Sequence, residues 1–172
     1  MTVKLLNYPS FVDWMFVKRC ALVTVGKNAI TPPNLEWKKK ILRARHSPIR
    51  QLRFAFELTI PYWVSVHLCR HVHAQPYVRS QRNDRQSEYD RNSARQDELV
   101  TMIWTMNAEE LVTIAQKRLC KQASEETRKA VQMMCDLVLE KMPEFDGLFA
   151  PPCVRYGRCD EMFPCGGVNN GT

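Results

Sequence analysis

Arginine, histidine and serine crowd into one stretch of the chain: Arg70, His71, His73, Arg79, Ser80, Arg82, Arg85 and Arg91. Guanidinium groups fork onto phosphate oxygens, and a serine hydroxyl adds a neutral donor. This cluster has the chemistry to neutralise a nucleotide phosphate. It also has the makings of a solvated basic loop, because Asp84, Glu88 and Asp90 are interleaved with it. A second pair is Asn107 and, eleven residues on, Arg118. Alone, that pair reads as a helix cap and a surface arginine. Cys153, Cys159 and Cys165 are separated by five residues each. Zinc sites favour closer pairs, so they read as free thiols in a loose tail, with a structural metal completed by His73 as the alternative. Cys69 reads as a packed helix residue, the alternative being a reactive thiol activated by Arg70.

The elements that must position these groups follow from pattern. Val3–Asn7 reads as a short strand. Ser10, with Asp13 three positions on, starts a helix from Phe11 to about Val25, stopped by Gly26. Asn34 caps a basic helix from Leu35 to Arg45. Phe54, Phe56, Leu58 and Ile60 alternate with Arg53, Ala55, Glu57 and Thr59, the period of a half-buried strand. Pro61 opens a helix over 62–71. Tyr77 and Val78 are expected to be extended. Residues 97–105 are expected to be helical. Asn107 and Glu110 form a capping box that starts a helix ending near Cys120. Ser124 starts another, which Pro143 ends. The class is therefore α+β, helix-rich with a small sheet. Residues 1–149 form a single domain, and 150–172 an irregular tail rich in Cys, Gly and Pro.

Composition bounds the partners. The chain has 172 residues, 45% hydrophobic and 25% charged, which excludes collagen-like and wholly disordered classes. Twenty-five Lys and Arg against 18 Asp and Glu give a net charge of +7. That favours anionic partners without choosing among them. No apolar run approaches the ~20 residues of a membrane span. The first residues lack a cleavage pattern, and the seven cysteines are an odd number, so the expectation is reduced thiols in the cytoplasm.

Several segments, in order, resemble the flavin-dependent thymidylate synthases. VKLLNY with Arg19-Cys20 resembles that family's first strand and helix. His46-Ser47-Pro48 followed by Phe54-Ala55-Phe56-Glu57 resembles its H-E-x-P…F-x-F-x segment. Arg70-His71-Val72-His73 through Arg79-Ser80-Gln81-Arg82 resembles the signature R-H-R-x-x-S-x-N-E-x-S-x-R-Y. Trp104-Thr105-Met106-Asn107-Ala108-Glu109 resembles W-T-x-N-A-R, and Lys117-Arg118-Leu119 falls where the family has L-R-x. The resemblance implies reductive methylation of dUMP to dTMP with FAD, methylenetetrahydrofolate and NADPH, in a homotetramer whose sites are shared between subunits. No membrane partner is expected, for want of a spanning apolar run, and a nucleic-acid partner ranks last, because the chain shows no recognised nucleic-acid motif.

The same resemblance carries residue roles. Ser47, Arg70, His71 and Asn107 would meet the flavin. Arg70, Arg79, Ser80 and Arg82 would hold dUMP, the last three through its phosphate. His67 stands where the family has Gln and joins that set. Arg118 would bind the uracil edge and favour ionised N3, the catalytic role. A fixed cation there stabilises charge on the pyrimidine and makes C5 nucleophilic. Val72 and Glu109 each stand where the family has Arg. These two departures support a second reading, a nucleotide-binding protein of the same fold without the flavin chemistry. A third is a basic nucleic-acid-binding protein using the Arg79–Arg95 loop and the Lys38–Arg45 helix.

Overall fold

A four-stranded antiparallel sheet, β1 (Thr2–Asn7), β2 (Arg53–Pro61), β4 (Leu99–Asn107) and β3 (Gln75–Val78), forms in that spatial order. This is a computed structural model, and it describes residues 1–84, 89–159 and 161–166. Arg85 and Glu88 of the basic stretch lie outside the described residues. Among the described residues no helix is long and apolar enough to cross a membrane.

The alternation in β2 sets the sheet's inner face. Phe54, Phe56, Leu58 and Ile60 are buried, and they meet Met106, Trp104, Met102 and Val100 of β4 in register. The helix expected over 97–105 is therefore a strand, and a central one. Its residues carry the same period of two, with Thr101, Ile103 and Thr105 on the other face. β-branched and aromatic side chains suit a pleated surface, and pairing on both edges of β4 outweighs any local helical tendency. On the outer face Lys4 and Glu57 sit opposite each other and pair at 2.7 Å.

Helices cover the inner face. They are α1 (Phe11–Val23), α2 (Leu35–Arg43), α3 (Tyr62–Leu68), α4 (Ala108–Arg118), α5 (Glu125–Lys141) and α6 (Pro152–Tyr156). α5 lies along β1 and β2, and α3 along β2 and β4. Ser10 and Asp13 form the expected capping box at the start of α1. Gly26, at φ 67°, supplies the left-handed residue beyond its end, and the Lys27 N–H reaches back to Leu22 O at 3.0 Å. Asn34, Asn107 and Ser124 cap α2, α4 and α5 by accepting backbone N–H groups. Lys38 lies 4.8 Å over the Trp14 ring and 3.3 Å from buried Glu144. That contact ties α2 to the 3-10 turn Pro143–Phe145.

Three further expectations are corrected. α3 ends at Leu68 rather than residue 71: the Cys69 N–H makes the last helical bond, to Ser65 O, and the His71 N–H then closes a tight turn onto Leu68 O. Arg70 and His71 therefore ride a turn, not a helix face. The capping box at α4 is half made: Asn107 accepts from Glu110 N–H, but the Glu110 carboxylate turns inward. The stretch after Phe149 is not wholly irregular. α6 interrupts it, and Lys117–Glu161 (2.7 Å) and Gln122 Nε2–H to Phe163 O (2.6 Å) hold the following segment.

Candidate active site

The turn after α3 and the last turn of α4 meet. Arg118 Nε donates to His71 Nε2 at 2.9 Å, and its NH2 donates to His67 O at 3.2 Å. His71 Nδ1 lies 3.3 Å from Glu110 Oε1. The His71 ring is tilted against Trp104, with centroids 6.1 Å apart. Arg70 is close enough that its charge, after the larger effect of burial, lowers the Arg118 pKa from its ordinary value. Two guanidiniums held together against their own repulsion make a receptor for an anion.

Beside this cluster lies a cleft of about 380 Å³, lined by Arg45, Arg50, His73, Asn107, Glu109, Glu110 and Thr113. Glu110 belongs to both, so cleft and cluster are contiguous. Arg45 follows α2 at φ 50°, in the left-handed position that glycine usually takes. The His46 N–H bonds Ile41 O at 3.2 Å across that turn. The Arg45 guanidinium then spans to α4, donating to Thr113 Oγ1, to Glu109 O at 3.2 Å and to Gln116 Oε1 at 3.3 Å. Arg50, on the 3-10 turn Ser47–Gln51, donates through Nε to the Glu109 carboxylate.

The structure thus gathers His67, Arg70, His71, Asn107 and Arg118 from the sequence-predicted set. His67 contributes its carbonyl to Arg118, while its ring packs edge-on against Trp63 at 5.5 Å. Ser47 is exposed, at the start of the turn that carries Arg50. Arg79, Ser80 and Arg82 are placed elsewhere. Arg79 N–H donates to Thr101 O at 2.9 Å, so their loop leaves the sheet at the Thr101 end of β4. Asn107 stands six residues away, about 20 Å along an extended strand. Ser80 Oγ accepts the Arg82 N–H at 3.3 Å, and the Arg82 fork closes on Asp84, with Nε to Oδ1 at 2.9 Å and NH2 to Oδ2 at 2.5 Å.

Arg45, Arg50, Glu110 and Thr113 were not singled out as site residues from the sequence. For Arg50 a signal existed. Glu109 reverses a charge relative to the resembled pattern, and a reversed charge invites a complementary partner. Cys69, weighed as a thiol activated by Arg70, has its pKa raised by burial instead. Among the described residues no group of three or more His, Cys, Asp or Glu is placed to hold a metal ion.

Residues 98–144 match the family model described as thymidylate synthase complementing protein. No curated protein matches by sequence. The fold is similar to that of thymidylate synthase X from Helicobacter pylori, solved with FAD and dUMP. The TM-score is 0.69 at 14% identity, covering 87% of this chain and 99% of that one. The chain thus shares sequence with that family model over 98–144 and a fold with thymidylate synthase X over most of its length.

Proposed function

We propose that the chain methylates dUMP reductively to dTMP, using methylenetetrahydrofolate, FAD and NADPH, as a cytoplasmic homotetramer. The observation that carries the reading is the gathering of Arg70, His71 and Arg118, from two separate elements, beside the cleft that Asn107 lines. Arg118 would stabilise negative charge on the pyrimidine edge, and Arg70 would add to the field that draws the nucleotide in. Arg79, Ser80 and Arg82 would hold the phosphate. In a homotetramer whose sites are shared between subunits, the phosphate loop serving Arg118 would come from another subunit.

The cleft would receive the flavin dinucleotide. Arg45, Arg50, Asn107 and Thr113 line one space with the carboxylates of Glu109 and Glu110, and a bound dinucleotide would compete with Glu109 for Arg50. Bound FAD would supply the hydride chemistry that no side chain can. Ser47, His71 and Asn107 would orient its ring system.

A specific observation favours the second reading, a nucleotide-binding protein without flavin chemistry. Arg50 is engaged by Glu109, and Val72 leaves an exposed apolar side chain where the resembled signature has Arg. One experiment separates the two. Purified protein is incubated with FAD, with and without dUMP, and freed of unbound ligand. A retained visible flavin band that dUMP alters supports the synthase. Retained dUMP with no flavin under either condition rejects it in favour of the second reading.

A further inference from the structure

Glu110 is among the few charged residues that the fold buries, its side chain 8% exposed. A buried carboxylate is costly unless something answers it. The first turn of α4 helps, since the helix N-terminus favours negative charge. The specific answer is His71, whose Nδ1 lies 3.3 Å from Oε1. The other ring nitrogen, Nε2, accepts the Arg118 Nε–H at 2.9 Å. A nitrogen that accepts carries no proton, so the neutral His71 ring holds its hydrogen on Nδ1, facing Glu110. The alternative tautomer would set N–H against N–H at Arg118 and a bare lone pair against the carboxylate.

We propose that Glu110 is a positioning residue for Arg118. Its carboxylate holds His71 in the Nδ1–H tautomer, and the Nε2 lone pair so presented fixes the direction of the Arg118 guanidinium. The need for such a brace is visible in the surroundings. Arg70 pushes against Arg118 electrostatically, and the His67 carbonyl contributes a hydrogen bond of 3.2 Å. Without the imidazole acceptor, the like charge of Arg70 would drive Arg118 toward solvent. Glu110 and Arg118 lie eight residues apart on one rigid helix, about 12 Å along its axis. His71, arriving from the turn after α3, bridges them and so also registers that turn against α4. Glu109 and His73, which share the cleft with Glu110, flank the chain of contacts without joining it in the structure. That Arg118 meets the pyrimidine rests on the function proposed above; the tautomer does not.

The test is nitrogen-15 NMR of the imidazole rings, tractable because the chain has four histidines. At pH 8 the wild-type His71 ring is expected as the Nδ1–H tautomer. Glu110→Ala is expected to move it to Nε2–H, shift the Arg118 Nε–H resonance and weaken dUMP binding about tenfold. Glu110→Gln keeps an acceptor oxygen, so it is expected to retain the tautomer and to bind dUMP within about threefold of wild type. Should Glu110→Ala not fold, Glu110→Met fills the space without an acceptor and takes its place. A wild-type Nε2–H ring overturns the proposal. So does a tautomer indifferent to Glu110, or a tautomer that moves while Arg118 Nε–H and dUMP affinity do not. A wild-type protein that binds no dUMP, while tautomer and Arg118 respond as expected, overturns the proposed function and leaves the positioning role standing.

Discussion

Arg118 was legible in the sequence only through the segments that resemble a family; by its spacing alone it was a surface arginine. The structure makes it half-buried, braced by His71 and beside a second cation. If Arg118 meets the pyrimidine as proposed, Arg118→Ala is expected to cost about 100-fold or more in turnover, while the loss of stability stays near 1.5–3 kcal/mol, the range of a charged hydrogen bond. Assay of dTMP formation beside a thermal melt checks this, and unchanged turnover in folded protein would reject the role. Arg82 is a different case. Its fork already grips Asp84 on the surface, so a phosphate must displace that carboxylate. Arg82→Ala should weaken dUMP binding far more than deoxyuridine binding. Asp84→Ala should tighten dUMP a few-fold, because an exposed pair of this kind is worth only about 0–1 kcal/mol. Calorimetric titration with both ligands decides, and equal effects on dUMP and deoxyuridine would count against phosphate contact.

At the scale of elements, β4 carries the most consequence. It pairs with β2 and β3, buries Trp104 and Met102, and delivers Asn107 to the start of α4. Trp104→Ala should destabilise the fold by about 3–5 kcal/mol through the cavity it leaves, and should loosen the His71 ring that packs against it. Urea denaturation checks the first effect; a loss below 1 kcal/mol would mean that the neighbouring side chains collapse into the space. The start of α1 offers a pH prediction. The Asp13 carboxyl is held below its ordinary 3.8, first by the Ser10 hydroxyl and then by the Ser10 N–H. A depressed folded pKa means that the stabilisation is present above about pH 4 and is lost as pH falls through the folded value. Asp13→Asn should therefore lower stability at pH 6 and make the acid limb between pH 4 and 2 shallower. A parallel shift at both pH values would show that the charge is not the source. β4 also marks where pattern reading went wrong for a recoverable reason. Val100, Met102, Trp104 and Met106 alternate with Leu99, Thr101, Ile103 and Thr105, but Leu99 and Ile103 blur the polar face, and a short apolar stretch serves helix and strand alike until a partner strand is in view.

For the whole molecule, the arrangement to test is how the Arg79–Arg82 loop, which leaves β4 at its Thr101 end, is matched with Arg118 at the end of α4. Asn107 opens α4 and Arg118 closes it, while the Arg79–Arg82 loop leaves at the Thr101 end of β4. If subunits share sites, Arg82→Ala and Arg118→Ala chains damage different halves of each site. Co-assembled in equal amounts they should recover about a quarter of wild-type turnover, the fraction of sites that draw both halves intact. No recovery from a demonstrated mixed oligomer would place the whole site within one chain. Local pattern was enough for the helix starts at Ser10, Asn34, Asn107 and Ser124, the β2 strand and the basic character. Each depends on neighbours within a few residues, where side chain and backbone meet whatever the rest of the chain does. Tertiary structure alone decided that Glu110 leaves its own helix cap for His71, that Arg50 answers Glu109, and that Arg45 takes a glycine's conformation to reach Thr113. Those contacts join residues 39 to 68 positions apart along the chain. No local rule carries that information, because a buried charge finds its partner only after the sheet and helices have brought distant segments together.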